Sequence, residues 1–267
     1  MSSAIERGSA ALARWLAAED PDAAVARFRP VFAGIVVLYD VIDVALGATE
    51  HETDWFPHAR DQEMLFLQLA LIGCGLLLAF GKWVYITGII CAALRFEEAR
   101  IFALNDFHFI AVLTLLVAHG QGGPFSGEGA PKNPKWVRDA LLAQVAFVYL
   151  ATAWLKLGPA WIRGDGIYVR TMYLAVGSRW PFPGFIERAL GLRAFDGWLA
   201  RGAVLAEGAL AITLIRRRPY ILAVGLAVGI HAFGAVATNV WFFGAVMITT
   251  VVMLMPRGRR GRRGRRG

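Results

Sequence analysis

The sequence feature that most restricts the fold is a long run without charged side chains near the C-terminus. Residues 219–256 contain no Asp, Glu, Lys or Arg. As a single helix this run would be about 55 Å long at roughly 1.5 Å per residue, well beyond the ~30 Å hydrocarbon core of a bilayer. We therefore divide it at residues 237–239, Ala-Thr-Asn, into two predicted spans. His231 lies in the first of them.

Further apolar runs extend this pattern along the chain. Hydrophobic residues make up 57% of the sequence and the mean hydropathy is +0.51, which is not typical of a soluble domain. The run at 109–118 is short for a span, so we expect the polar residues before it to lie at membrane depth. The sequence therefore predicts an all-α, polytopic transmembrane bundle of about eight segments in a lipid bilayer. The remaining predicted spans are 30–47, 64–80, 83–94, 140–155 and 198–215. The span 83–94 ends in a charged helical turn, residues 95–100, with predicted pairs such as Arg95 with Glu98.

Both ends of the chain differ from the membrane domain predicted for residues 27–255. Residues 1–26 include an amphipathic helix, at 3–18, that is expected to lie on the membrane surface. Asp20 can cap the helix that follows. Residues 256–267 form a glycine- and arginine-rich tail, predicted to be disordered, that carries seven arginines. The net charge of +8 is thus mainly an orientation signal, and no specific nucleic-acid partner is expected.

The positive charges also predict a topology. An even number of spans places both termini on one side, and the positive-inside rule makes that side the cytoplasm. We therefore predict a multi-pass protein of the plasma or inner membrane with both termini cytoplasmic. Five arginines within residues 163–193 would then lie outside, which counts against this topology. The sequence predicts no oligomeric state.

Ionisable residues inside the predicted spans are the first candidates for function, because charge at membrane depth is costly. Asp40 is expected to turn toward the interior of the bundle. Glu207 is either functional or paired structurally with an arginine such as Arg201. His108, which follows Asn105-Asp-Phe, is the best-placed imidazole in the chain, although such a histidine is more often structural than catalytic.

Lys156 has a special position among the basic residues. The chain has 28 lysines and arginines, of which only four are lysines, and Lys156 follows the apolar run 140–155. Arginine keeps its proton in proteins, whereas a lysine in a dry site can lose its own and act as a base. The alternative is a lysine whose long side chain reaches the head-group level. The residues alone leave both interpretations open.

Several ordered motifs resemble the HTTM (horizontally transferred transmembrane) domain, which is related to the membrane domain of vitamin K-dependent gamma-glutamyl carboxylase. The resemblance covers most of residues 27–255 and rests on the order of the motifs rather than on any one of them. The matching residues are Phe28-Arg29 with Phe32 and Asp40, Asn105 to His108, Lys156-Leu157 with Trp161 and Gly164, Glu207, and His231.

This resemblance implies an activity that uses a membrane-embedded lysine. Lys156 would be the base that deprotonates a vitamin K-like quinol, with His108 and Glu207 positioning or relaying protons. The remaining matched residues are expected to bind substrate: Asn105, Trp161, His231, Asp40 and Arg29. The resemblance implies a quinol as cofactor and no metal. The large extramembranous region of the carboxylase has no counterpart here, so peptide carboxylation by this chain alone is not expected.

Two other classes of function fit the same residues. A non-enzymatic bundle, either a transporter or an accessory protein that binds a peptide or partner, would also place acidic and histidine residues within spans. No internal repeat is visible, which disfavours a transporter. A purely structural role predicts that Lys156→Met is tolerated. An enzyme that uses a neutral amine should lose activity even in Lys156→Arg.

Overall fold

A computed structural model describes residues 2–20, 22–47, 62–102, 105–119, 134–165, 167, 193–238 and 241–256. Within these ranges every regular element is an α-helix, which confirms the predicted all-α class; an isolated bridge joins Glu19 and Pro134. The helices are α1 (Ser2–Ala17), α2 (Ala24–Gly47), α3 (Gln62–Ala79), α4 (Val84–Phe102), α5 (Asn105–His119), α6 (Lys135–Leu155), α7 (Pro159–Ile162), α8 (Arg193–Arg216), α9 (Tyr220–Thr238) and α10 (Trp241–Leu254).

The long charge-free run is divided where the sequence predicts. Helix α9 ends at Thr238, within the predicted residues 237–239, and α10 begins at Trp241. The short run 109–118 is likewise lengthened by the residues before it, because α5 begins at Asn105. The expected division of the charge-free run is confirmed, whereas the position of Asn105 at membrane depth stays a prediction.

The chain divides into two compact units, Met1–Leu141 and Leu142–Gly267. In the first unit, α2 packs on α3, α3 on α4 and α4 on α5. Glycines permit two of these contacts: a Cβ on Gly75 would lie 2.5 Å from Val37 Cγ2, and one on Gly88 would lie 2.3 Å from Ala118 Cβ. Any larger residue at these positions would push the paired helices apart.

Asp20 organises the N-terminal part of the first unit. Its Oδ2 accepts a hydrogen bond from the Ala24 N–H at 2.8 Å, which confirms that it caps α2. Its Oδ1 accepts one from Arg138 Nη1, near the start of α6, at 2.7 Å. The Lys135 N–H also donates to the Ala18 carbonyl at 2.8 Å. The end of α1, the start of α2 and the start of α6 are therefore joined at one point.

In the second unit, α8 packs on α9, α9 on α10, and the short α7 on α8. Gly164, just after α7, has a φ of +89°, and a Cβ there would lie 2.5 Å from the Asp196 carbonyl carbon of α8. Only glycine fits this backbone conformation and this close approach. Gly164 therefore fixes how α7 lies against α8.

Many large apolar side chains lie on the surface of the described helices, in addition to buried apolar core residues such as Phe28 and Leu210. Large apolar side chains face outward along several helices, including Phe66 at 70% exposed, Trp154 at 74% and Ile221 at 83%. The charged Arg95 and Glu98, in contrast, are 0% and 1% exposed. Large exposed apolar patches on a protein surface typically mark contact with a membrane or a partner.

One described helix is long and apolar enough to cross a membrane, Asp196–Arg216 within α8. Shorter apolar helices accompany it: Leu65–Ala79, His108–His119, Tyr220–Ala235 and Phe242–Leu254. The described residues thus form an all-helical fold.

Some predicted features lie outside the described residues. These are most of the segment 163–193, whose arginines bear on topology, and the tail after Pro256.

Candidate functional site

Lys156 lies where α6 ends, and it forms an ion pair inside the second unit. Its backbone N–H donates to the Thr152 carbonyl at 3.1 Å, which extends the last turn of α6. Its Nζ donates to Oε1 of Glu207, in the middle of α8. The Lys156 side chain is 24% exposed and that of Glu207 only 7%. Arg201, one alternative partner for Glu207, instead lies over the Trp198 ring, and the cation paired with Glu207 is Lys156.

Trp161 of α7 forms a second side of the site. Gly158 and Pro159 end the α6 turn and start α7, with proline in the first helical positions, where its missing N–H is of no consequence. The Lys156 Nζ lies over the Trp161 ring, 5.1 Å from its centroid. A cation over an indole face is attracted by the ring quadrupole. The spacing of five residues between Lys156 and Trp161 therefore allows the ammonium group to lie over the indole ring.

His231 of α9 is bound to a tyrosine that sequence reasoning missed. The Tyr149 hydroxyl and His231 Nε2 are 2.6 Å apart, and both side chains are buried. The His231 ring also lies edge-on to Phe243 at 5.9 Å, and Gly244 leaves room for it, since a Cβ there would be 3.0 Å from the His231 Cβ. Tyr149 lies two helical turns before Lys156, so it shares the same face of α6.

These residues form one group, which we call the lysine cluster: Lys156, Glu207, Trp161, Tyr149 and His231. Tyr149 and Lys156 lie two helical turns apart on one face, so the pair of Tyr149 with His231 and the pair of Lys156 with Glu207 lie in the same part of the second unit. The second unit therefore brings together four of the eight predicted site residues and adds Tyr149.

Asp40, predicted to bind substrate, is paired within the first unit. As expected for a charge in an apolar helix, it turns inward and is 1% exposed. Arg95 Nη2 lies 2.6 Å from Asp40 Oδ1, and Arg95 Nη1 lies 2.5 Å from Glu98 Oε2. The pair of Arg95 with Glu98 is confirmed, but its link to Asp40, 55 residues away, was not foreseen. We call these three residues the buried triad.

The remaining predicted residues also belong to the first unit. His108 is exposed on α5, with its ring 5.8 Å from that of Phe96. Arg29 is half-buried beside Gly81, and its Nε has no hydrogen-bond partner among the described residues. The Asn105 side chain lies outside the described part of the chain.

No metal site is suggested by the part of the chain that the structure describes, where no three His, Cys, Asp or Glu side chains are grouped. Comparisons of the sequence with protein-family models, with curated proteins and with solved structures gave no match. The likeness to the HTTM domain therefore rests on the residues quoted for it alone.

Proposed function

We propose that this chain is an integral, multi-pass membrane protein, and the observation that carries the proposal is its apolar exterior. In water, the outward Phe66, Trp154 and Ile221 side chains would be unfavourably hydrated, whereas in lipid they meet hydrocarbon. Charged residues within other apolar helices, such as Asp40, Arg95 and Glu207, are buried and paired, which is the usual arrangement at membrane depth. The lipid bilayer is thus the expected partner of the exterior.

Helix lengths support the same proposal. Helices α2 and α8 have 24 residues each, or about 36 Å, and α9 has 19, or about 28 Å, which matches a hydrocarbon core of ~30 Å. Helices α5 and α10, with 15 and 14 residues, would reach both interfaces only with local thinning of the bilayer or as buried members of a bundle. Extraction of cell membranes with alkaline carbonate should leave the chain in the pellet, and its release would contradict the proposal.

The charges support the predicted orientation, with both termini cytoplasmic and the protein in the plasma or inner membrane. This orientation can be tested with reporter proteins that are active on only one side of the membrane, fused to each end of the chain. Both fusions should report the cytoplasm, and opposite reports would mean an odd number of crossings.

We further propose that the lysine cluster binds and deprotonates a lipid-soluble ligand with an acidic hydroxyl, of the quinol class. A lysine can take a proton only after it has lost its own, and Glu207 is the group placed to receive it. Lys156 would then be the base and Glu207 its proton relay. The site lies where an apolar helix ends, so a ligand that partitions into the bilayer can approach it. The quinol is also the cofactor that the resemblance to the HTTM domain implies.

Lys156 substitutions separate this proposal from its alternative. In nanodiscs, an isoprenoid-tailed naphthohydroquinone should bind the unaltered chain and be consumed in air faster than in its absence. Lys156→Arg and Lys156→Met should both abolish the acceleration, because neither supplies a neutral amine. Normal acceleration in Lys156→Arg would refute the base.

The alternative is a non-enzymatic bundle that transports a solute or binds a peptide or partner. The observation that favours it is that Lys156 is already paired with Glu207, as a purely structural cation would be. This alternative predicts that the hydroquinone is not consumed faster and that Lys156→Arg behaves like the unaltered chain.

A further inference from the structure

Two polar atoms of the lysine cluster are left without partners. Glu207 is 5% exposed, and Lys156 engages its Oε1, but its Oε2 has no hydrogen-bond partner within the described residues. The Trp161 Nε1 is buried and also has no partner there. Buried polar atoms in folded proteins are nearly always hydrogen-bonded, so each unmatched atom calls for an explanation.

The two atoms are opposite in character and close to the same ammonium group. Oε2 belongs to the carboxylate that holds Lys156, and Nε1 belongs to the ring over which the Lys156 Nζ lies, 5.1 Å from the centroid. A carboxylate oxygen can only accept a hydrogen bond, and an indole N–H can only donate one. A group that satisfies both must therefore donate to Glu207 and accept from Trp161.

The other polar groups of the cluster do not compete for that role. The Tyr149 hydroxyl and His231 Nε2 are bonded to each other at 2.6 Å. Lys156 donates to Glu207 Oε1, and its ammonium group can donate hydrogen bonds but cannot accept one from the indole. Among the buried polar atoms of the cluster, Glu207 Oε2 and Trp161 Nε1 are the ones without a partner within the described residues.

We infer that Glu207 and Trp161 are the residues that select the ligand, by requiring a hydroxyl group that donates to Oε2 and accepts from Nε1. This inference rests on the proposed binding of a lipid-soluble hydroxyl compound and adds which form of it is bound. It concerns the state before proton transfer, in which Lys156 is an ammonium and Glu207 a carboxylate. A hydroquinone carries such a hydroxyl. The corresponding quinone presents a carbonyl oxygen, which only accepts, so it leaves Oε2 unmatched and faces it with a second acceptor. The site therefore discriminates between the reduced and the oxidised forms of one ring.

A set of three probes on the same ring and tail tests this selection. They are the naphthohydroquinone, its quinone and its dimethyl ether, each titrated under nitrogen into the full chain in nanodiscs. The hydroquinone should bind at least about tenfold more tightly than the other two, as expected for a hydrogen bond to a charged group. Quenching of tryptophan fluorescence, corrected with empty nanodiscs, gives the dissociation constants.

Two variants have different expected signatures. Glu207→Gln should abolish the preference for the hydroquinone, because an amide can also donate to the quinone carbonyl. Trp161→Phe should weaken all three probes by a similar factor and preserve their order, since all three oxygens can accept. The control Glu97→Gln changes an exposed carboxylate on α4 and should leave every dissociation constant unchanged.

A double variant serves as a control for misfolding caused by an unpaired buried charge. Glu207→Gln leaves the Lys156 ammonium without its partner, so Lys156→Met combined with Glu207→Gln removes both charges at once. Loss of preference in the double variant, with retained binding, supports the inference. Equal binding of the three probes to the unaltered chain, or a preference that survives Glu207→Gln, overturns it while the proposed ligand class stands. If none of the probes binds the unaltered chain, both the ligand proposal and the inference fail.

Discussion

Replacing Arg95 with methionine should strongly destabilise the first unit. Arg95 is 0% exposed and lies between the carboxylates of Asp40 and Glu98, at 2.6 and 2.5 Å. Methionine fills similar space but leaves two buried like charges. Breaking a buried ion pair by removing one partner typically costs about 3–5 kcal/mol, because the remaining charge is not solvated. At about 2–4 °C per kcal/mol for a large domain, the expected fall in Tm is about 6–20 °C.

The chain contains its own reporter for this measurement. Cys91 lies one helical turn before Arg95 on α4 and is 1% exposed, so its thiol reacts with a fluorogenic maleimide only when the helix opens. A Cys74→Ala background removes the second, half-buried thiol. Fluorescence of the purified protein on heating in detergent then gives the Tm of the region around the buried triad.

Two comparisons show whether the buried charge is the cause. Arg100→Met breaks an exposed pair with Glu97 and should leave the Tm unchanged. Arg95→Met combined with Asp40→Asn and Glu98→Gln removes all three charges and should recover much of the loss, because neutral groups are cheaper to bury. An Arg95→Met protein with the Tm of the unaltered chain would refute the reasoning that the triad is buried and energetically coupled.

Three further substitutions test particular contacts. Gly164→Ala should reduce hydroquinone affinity several-fold in the nanodisc titration, because a Cβ cannot fit against α8 and Trp161 moves with α7. Asp20→Ala should lower stability by about 1–3 kcal/mol in the same thiol assay, through loss of a helix cap and of a buried acceptor; an unchanged Tm would contradict this. Tyr149→Phe should cost about 1 kcal/mol, measured by intrinsic fluorescence on heating, because His231 loses its hydrogen bond; a stabilised variant would mean that the pair is strained.

The sequence predicts well those features that depend on neighbouring residues. The division of the charge-free run at residues 237–239, the cap at Asp20 and the pair of Arg95 with Glu98 all follow from local patterns, and the structure confirms them. Asp40 was also expected to turn inward, because a carboxylate is costly at an apolar surface. Local chemistry and the cost of burying charge are sufficient for these assignments.

The partners of the buried charges could not be predicted in the same way. Glu207 is paired with Lys156, 51 residues before it, and Arg95 with Asp40, 55 residues before it. Contacts between residues so far apart in the sequence depend on how the helices pack. The sequence contains several carboxylates that could pair with each cation, and it does not single one of them out. Tyr149 was missed for a related reason. Helical spacing predicts that it lies on the same face of α6 as Lys156, but its hydrogen bond to His231 depends on the packing of α6 and α9.

The central claim, that the apolar exterior faces lipid, is tested most directly by spin labels on that exterior. In a background without Cys74 and Cys91, labels at Phe147→Cys and Leu205→Cys occupy positions that are 65% and 73% exposed near the middle of α6 and α8. In nanodiscs, electron paramagnetic resonance should find both labels highly accessible to oxygen and protected from a water-soluble nickel chelate. A label at Arg100→Cys, which is exposed beside a charged partner, should show greater access to nickel. Nickel access at Phe147→Cys and Leu205→Cys equal to that at Arg100→Cys would contradict the account.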